Sequence, residues 1–189
     1  MTDTTAQRRA REQAERRSRI IAAARELAEA DGWEKVTTRR LADAIEYSQP
    51  VLYGHFPAGK SAIMKAVALQ GFSEMTKAMA STSRRSGGGA RIEALAHHYL
   101  GFAAANPAVY EAMFDLPIGA TFGTDQSEAE LREAFDQIKA VLPDQDDVET
   151  AAELLWSSLH GLATLDRSGR LRPSRREERV RRLVDLWVN

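Results

Sequence analysis

The chain has 189 residues, a formal net charge of −1, 43% hydrophobic residues and no cysteine. This composition allows one substantial core or a small domain beside a larger one, and it excludes a disulfide scaffold, a thiolate metal site and a cysteine nucleophile. No apolar run approaches the ~20 residues that span a membrane, and the polar N-terminus differs from a signal segment, so we expect a cytoplasmic protein without a membrane partner.

Charge is distributed unevenly along the chain. Residues 1–65 contain twelve basic and nine acidic side chains, a net charge of +3, so the remainder carries −4. A basic N-terminal part followed by an acidic part is the distribution expected of a protein that contacts nucleic acid with one end.

The first predicted helix follows an arginine-rich stretch. Residues 1–7 are polar and are expected to be unstructured, and residues 8–19 contain six arginines. Apolar residues then recur at helical spacing from Ile20 to Ala28, and Gly32 suits the position after the helix end. The arginines either reach DNA phosphates or the minor groove, or form a solvated helix end, because glutamates are interleaved with them.

A short helix with a capped start is predicted next. Thr37 and Thr38 offer hydroxyls that can cap it, and Leu41 and Ile45 lie on its apolar face. The sequence Glu46-Tyr47-Ser48 interrupts the apolar pattern. This stretch therefore predicts a short helix and a three-residue turn.

A second short helix follows the turn. Ser48 is a good N-cap, and Pro50 falls in the first turn, where a missing N–H has little effect. Pro57 and Gly59 end the helix. Two short helices joined in this way match a DNA-binding helix-turn-helix, with an ordinary helical hairpin as the alternative.

The early side chains of the second helix are the candidates for base contact. In a helix-turn-helix the first helix supports the second, whose N-terminal residues face base edges in the major groove. Gln49 can hydrogen-bond a base edge, and Pro50 or Val51 can touch a thymine methyl.

This stretch resembles the DNA-binding domain of the TetR family of transcriptional regulators. The features that carry the resemblance are the threonine pair, the L-A-x-A-I core, the S-x-x-x-L-Y-x-H-F segment and the lysine that follows it, Lys60. The resemblance implies an all-α fold, with a DNA-binding domain in residues 1–60 and a helical effector-binding and dimerisation domain in residues 61–189. Glu46 departs from the family, which usually has glycine at this turn, and a left-handed backbone would strain a glutamate there.

The resemblance also implies which side chains hold phosphates. Tyr53, His55 and Lys60 are expected to do so, and Thr38 through its hydroxyl and the helix N-terminus that it caps. Tyr53 could instead serve mainly in packing. The full predicted DNA-binding set is Thr38, Arg39, Ser48, Gln49, Pro50, Val51, Tyr53, His55 and Lys60.

About six further helices are predicted, for roughly nine in all. A loop is expected at residues 81–89, which are rich in serine and glycine. The Asn106-Pro107 pair caps one helix and opens the next. The predicted helices cover residues 60–80, 91–105, 108–114, 127–142, 148–165 and 174–188.

The aromatic and methionine side chains of this part have two interpretations. They form the core, or some of them line an apolar pocket between helices. The segment containing Trp156, His160 and Gly161 resembles the C-terminal domain of one TetR subgroup, and by analogy with TetR proteins such a pocket would hold a small apolar effector. The predicted pocket set is Phe72, Met75, Tyr99, Phe102, Tyr110, Met113, Phe114, Phe122, Trp156 and His160.

The sequence gives little support to a catalytic or metal-binding function. The adjacent His97 and His98 point about 100° apart on a helix, so they do not chelate one ion together. Ser157 and Ser158 lack the strand-turn-helix elbow of a serine nucleophile. We therefore expect no metal, no cofactor and no enzymatic activity.

The hypothesis is a homodimeric TetR-like repressor that a small-molecule effector releases from DNA. The last two predicted helices have apolar faces broad enough for a four-helix dimer interface, where the family also dimerises. A two-fold axis would place two recognition helices about 34–36 Å apart on a pseudo-palindromic operator. One alternative is an all-α carrier or enzyme whose head has lost DNA binding, with Glu46 as the cause. The other is a regulator without an effector.

Overall fold

The structure is a computed structural model, which describes residues 4–81, 87–117, 127–144 and 146–188. Within these ranges the regular secondary structure is helical, without a strand, and the predicted all-α fold is confirmed. The α-helices are α1 (Thr5–Asp31), α2 (Thr38–Ala44), α3 (Gln49–His55), α4 (Lys60–Ala80), α5 (Gly88–Ala105), α6 (Pro107–Phe114), α7 (Ala129–Val141), α8 (Val148–Arg167) and α9 (Arg176–Val188). In the described part of the chain, no helix is both long and apolar enough to cross a membrane.

The chain divides into two compact units, and the division falls within α4. The first unit contains the described residues up to 69 together with residues 108–117, and therefore most of α6. The second contains residues 70–107 and the described residues from 127 onward.

The core of the first unit includes buried side chains from α1, α2 and α3. Ile20 from α1, Leu41 from α2, and Leu52 and Phe56 from α3 and its C-cap are each at most 1% exposed. Full burial of such a side chain stabilises a fold by about 1.5–3 kcal/mol. These residues fix the positions of α2 and α3, as the apolar spacing predicts.

Helix α1 is longer than predicted. It begins at Thr5, and the expectation that residues 1–7 are unstructured is wrong for residues 4–7. The Thr4 side chain accepts a hydrogen bond from the Gln7 amide, and the Gln7 side chain accepts one from the Thr4 amide. This reciprocal capping box gives the helix a defined start without any buried side chain.

The start of α6 is bound to the first unit by two side chains from distant parts of the sequence. The Glu29 carboxylate accepts hydrogen bonds from the amides of Ala108 (3.0 Å) and Val109 (3.1 Å). The indole N–H of Trp33, which is buried, donates to the Ala108 carbonyl at 2.7 Å. A carboxylate at a helix N-terminus satisfies free amides and interacts favourably with the helix dipole, so Glu29 acts as a cap for α6.

In the second unit, α5 packs against both α8 and α9, and α7 packs against α8. Its core includes Ile92 and Leu95 of α5, Leu155 and Leu159 of α8, and Val180 of α9, all at most 1% exposed. The 3.6-residue spacing of these residues along each helix explains why three amphipathic helices bury one face each.

The predicted loop at residues 81–89 is only partly observed. Residues 82–86 lie outside the described ranges, and α5 already begins at Gly88 instead of Arg91. A Cβ atom on Gly89 would lie 3.4 Å from methyl groups of Val184 and Val188 in α9. Gly89 is therefore a helical residue, and its lack of a side chain lets α9 approach the backbone closely. At this position the glycine run does not mark a loop.

The remaining helix boundaries follow the sequence more closely. Helix α4 begins and ends where predicted, and α6 begins at Pro107, its first helical residue. Helix α8 continues to Arg167, two residues beyond its predicted end. A 3₁₀ turn at Pro173–Arg175 precedes α9, so the predicted start at Ser174 lies inside that turn.

Candidate nucleic-acid interface

Helix α2 starts at a capped threonine, as predicted, but the cap is the first of the pair. Thr37 has an extended backbone, and its hydroxyl accepts a hydrogen bond from the Arg40 amide at 3.1 Å. Thr38 is therefore the first helical residue, and the expectation that it caps the helix is wrong. Arg39 is exposed, whereas the Arg40 guanidinium binds Asp31 at 2.6 Å and the Lys35 carbonyl at 3.0 Å.

The turn between α2 and α3 has a left-handed backbone at Glu46. Its φ is 56°, the only positive φ at a non-glycine position among the described residues. A left-handed conformation costs an L-residue with a Cβ roughly 1–2 kcal/mol. The sequence indicated this strain, and the surrounding helices, which bury Leu41, Ile45 and Leu52, maintain it.

Helix α3 presents its first turn to solvent. Ser48, Gln49, Pro50 and Val51 are exposed, and Leu52 is buried. Ser48 is the N-cap by its backbone conformation, but its side chain makes no capping hydrogen bond. Its hydroxyl, the Gln49 amide and the Val51 methyls therefore lie on an accessible surface at the start of a helix, as base contact requires.

Three of the predicted phosphate-binding residues lie around Gly59. A Cβ on Gly59 would meet the Tyr53 ring at 3.4 Å and the Thr38 methyl at 4.0 Å. Gly59 has a φ of 61°, so glycine both permits this turn and leaves room for the ring. The Lys60 ammonium lies in the next helix and donates to the Trp33 carbonyl. Lysine has three N–H donors, so this bond occupies only one.

His55 is half-buried at the end of α3, and its surroundings contain residues that sequence reasoning did not single out. The Arg17 guanidinium donates to the His55 carbonyl at 3.3 Å and lies 4.2 Å from the centre of the Phe56 ring. Arg19 donates to the Tyr47 hydroxyl at 2.9 Å and also lies over that ring. These two arginines attach α1 to α3 and to the turn, and the sequence signal for them is weak because the contacts span 38 and 28 residues.

The predicted effector-pocket residues are divided between the two units. Tyr110, Met113 and Phe114 belong to the first unit, where the rings of Tyr110 and Phe114 lie 4.7 Å apart. In the second unit, Trp156 donates to the Tyr99 hydroxyl at 3.2 Å. Phe122 lies outside the described residues. The second unit also contains Phe72, Met75, Phe102 and His160, of which the first two are buried and the last two half-buried.

The described part of the chain contains no group of three or more His, Cys, Asp or Glu side chains arranged to hold a metal ion. His97 lies 3.6 Å from Glu177 of α9, an ion pair when the imidazole is protonated.

A capped helix, a strained three-residue turn and a short helix with an exposed, polar start define a helix-turn-helix protein. The model of the domain described as "Bacterial regulatory proteins, tetR family" matches residues 20–67, and the model "Tetracyclin repressor-like, C-terminal domain" matches residues 92–187. The chain belongs to the TetR family, which confirms the resemblance found in its sequence.

One curated protein is also similar to part of this chain. An uncharacterised HTH-type transcriptional regulator, YobS, from Bacillus subtilis is 33% identical over 93 residues, which cover 49% of this chain and 48% of that protein. The match thus spans about half the length of this curated relative.

Solved structures show the same fold. A protein of unknown function from Rhodococcus sp. RHA1 has a TM-score of 0.73 at 24% identity, covering 90% of this chain and 92% of that one. The TetR family transcriptional regulator PfmR from Thermus thermophilus has a TM-score of 0.64 at 20% identity, covering 89% and 96%.

Proposed function

We propose that the protein is a homodimeric repressor that binds a pseudo-palindromic DNA operator through α3 and is released by a small apolar effector. The main support for DNA binding is the exposed first turn of α3. The buried side chain of Leu52 fixes this helix in place, and the Glu46 turn precedes it. Exposed Gln49 and Val51 offer base contacts, and Tyr53 is 47% exposed beside them with its ring against Gly59.

Dimerisation through α8 and α9 is supported by their exposed apolar side chains. Leu154 and Leu165 of α8 and Leu186 and Val188 of α9 are 41–78% exposed in the single chain. The α8 stripe, which we define as Leu154, Ser158, Gly161 and Leu165, follows the spacing i, i+4, i+7 and i+11 along one face. Among the described residues, no heavy atom beyond the two chain neighbours and the local helix backbone lies within 4 Å of a Cβ placed on Gly161, so a second helix can approach closely there.

Release by an effector follows from linkage. A ligand that binds the protein better in a conformation with low DNA affinity weakens DNA binding by the same factor by which DNA weakens ligand binding. The Trp156–Tyr99 pair supports a ligand site in the second unit, because it places two polar groups among apolar side chains.

A specific observation favours one alternative function. The strained Glu46 turn places a carboxylate near the surface that would face DNA phosphates, which would favour a carrier or enzyme with a degenerate head. Such a protein would bind a small molecule and would show no salt-dependent DNA affinity.

The test compares two substitutions on α3. We expect Tyr53→Ala to weaken binding to all sequences alike, because a hydrogen bond to a phosphate is lost. We expect Gln49→Ala to relax the preference at one base pair, worth about 1–3 kcal/mol of discrimination, with little change in binding to random DNA. If neither substitution alters DNA binding, α3 is not the recognition helix.

A further inference from the structure

The N-terminal half of α1 extends well beyond the core that the rest of the helix helps to form. Ile20 is its first buried residue, and residues 4–19 are all exposed. Fifteen helical residues before Ile20 correspond to about 22 Å of helix at 1.5 Å per residue. The family-domain match begins at residue 20, so these residues lie outside it.

Up to Arg16 the extension is helical without a buried side chain, whereas Arg17 and Arg19 contact α3 and the turn before it. The capping box of Thr4 and Gln7 defines its start, and Glu12 lies 3.8 Å from Arg8 and 3.9 Å from Arg16. A polar helix without a buried face lies in solvent or against a polar partner. Residues 5–19 contain six arginines and two glutamates, a net charge of +4, which favours an anionic partner.

Two of the six arginines, Arg9 and Arg16, lie on the side of the helix that is buried farther along. Arg16, Gln13 and Arg9 precede Ile20 by 4, 7 and 11 residues, so they continue the stripe that is buried farther along. The buried face of α1 therefore becomes a basic face where the helix passes beyond the core. There it borders a surface groove lined by Arg9, Glu12, Gln13, Arg16, Val51, Gly54 and His55.

The α3 side of this groove is the recognition helix itself. Val51 and His55 are four residues apart on one face of α3, and Gly54 contributes no side chain. Beyond its chain neighbours and the local helix backbone, a Cβ on Gly54 would meet no atom of the described part of the chain within 4 Å, so the groove is open at that point. Arg17 sets the spacing of the two helices by its contacts with the His55 carbonyl and the Phe56 ring, so its charge is used within the protein.

From this geometry we propose that the groove binds a backbone phosphate of the operator, held by Arg9 and Arg16 from α1 beside His55 from α3. The proposal rests on the proposed DNA-binding function and extends it to a second DNA-contacting element. Guanidinium groups match phosphate oxygens with two parallel N–H donors. Within the described residues Arg9 forms no ion pair, and Arg16 has only the long, half-exposed contact with Glu12, so both can turn to a phosphate.

The experiment compares two double variants of the full-length chain in a salt series with a selected operator duplex. R9A/R16A removes two charges from the groove, and the control R8A/R11A removes two charges from other faces of the same segment. All four positions are exposed and alanine favours helix, so both variants are expected to fold, as circular dichroism will check.

We expect the slope of log K against log salt concentration to fall by about 1–2 in R9A/R16A and to remain that of the wild type in R8A/R11A. Ethylation of single phosphates should reveal one interfering position per half-site in the wild type that disappears in R9A/R16A only. Equal slope changes in the two variants, no change in either, or an unchanged interference pattern would overturn the proposal. If the wild type itself selects no operator, the proposed function fails first, and the two failures are thus distinguished.

Discussion

Large exposed apolar side chains occur in two regions of the described chain, and the regions differ in their neighbours. On α3, Val51 and Tyr53 lie among Gln49, Pro50 and His55. On α8, Leu154 and Leu165 border the small residues Ser158 and Gly161, and Leu186 and Val188 are exposed at the end of α9. Isolated apolar groups among polar and basic ones suit DNA, whereas an apolar stripe with small residues suits a second protein helix.

The strongest effect is expected on dimerisation when the α8 stripe is changed. We predict that Leu165→Arg raises the dimer dissociation constant by at least about 30-fold, because it places an unpaired charge in an interface core worth roughly 2 kcal/mol or more. Sedimentation equilibrium measures the constant. The control Thr164→Arg changes an exposed neighbour about 100° around the helix. A dimer that tolerates Leu165→Arg as well as Thr164→Arg would place the interface elsewhere.

The next effect concerns the support of the first unit. Glu29→Ala removes the acceptor of two α6 amides, and we predict a loss of about 1–2 kcal/mol of unfolding free energy. Glu29→Gln keeps one acceptor oxygen and should lose less. Urea denaturation measures both, and Glu26→Ala on an exposed face of α1 is the control. Equal losses in Glu26→Ala and Glu29→Ala would contradict a capping role.

A smaller effect is expected at the turn between the two DNA-facing helices. Glu46→Gly should stabilise the protein by up to about 1 kcal/mol, because glycine adopts a φ of 56° without strain. This relief of strain outweighs the greater conformational entropy that glycine gives to the unfolded chain. Glu46→Ala removes the carboxylate but keeps the Cβ, so it should not stabilise. If the two variants behave alike in thermal unfolding, charge and not backbone strain is the relevant property of Glu46.

The smallest effect is a pH dependence in the second unit. Asp147 caps α8 by accepting a hydrogen bond from the Thr150 amide at 3.0 Å, and this bond lowers the pKa of the Asp147 carboxyl below its ordinary value. The cap therefore stabilises the fold above the ordinary pKa of aspartate, about 4, and the stabilisation is lost as the pH falls through the lowered value. Asp147→Asn, which keeps an acceptor, should reduce the difference in stability between pH 6 and pH 3. An unchanged difference would exclude this contribution.

The sequence predicted those features that depend on local patterns. The threonine pair, Glu46 and Pro50 defined α2, the turn and the start of α3, and α4 has its predicted bounds. The T-x-x-Q sequence at Thr4 is also a local signal, because it forms the capping box that starts α1.

Other features depend on contacts between residues far apart in the chain. Glu29 and the α6 amides are separated by about 80 residues, and Gly89 meets Val184 across nearly 100, so no local pattern indicates either. The groove beside α3 likewise depends on residues far apart in the chain, because it forms where α1 passes Gly54 and His55. The arginine run alone does not indicate which helix lies beside it.

Helix α3 is expected to give this TetR-family protein its recognition of specific DNA. The most direct measurement is the binding of the purified chain to a pool of random duplexes at several salt concentrations, with sequencing of the bound fraction. We predict enrichment of a palindromic site with half-sites about one helical turn apart, about 34–36 Å, and an affinity that falls steeply as salt rises. Weak binding with no enriched sequence at any salt concentration would contradict it.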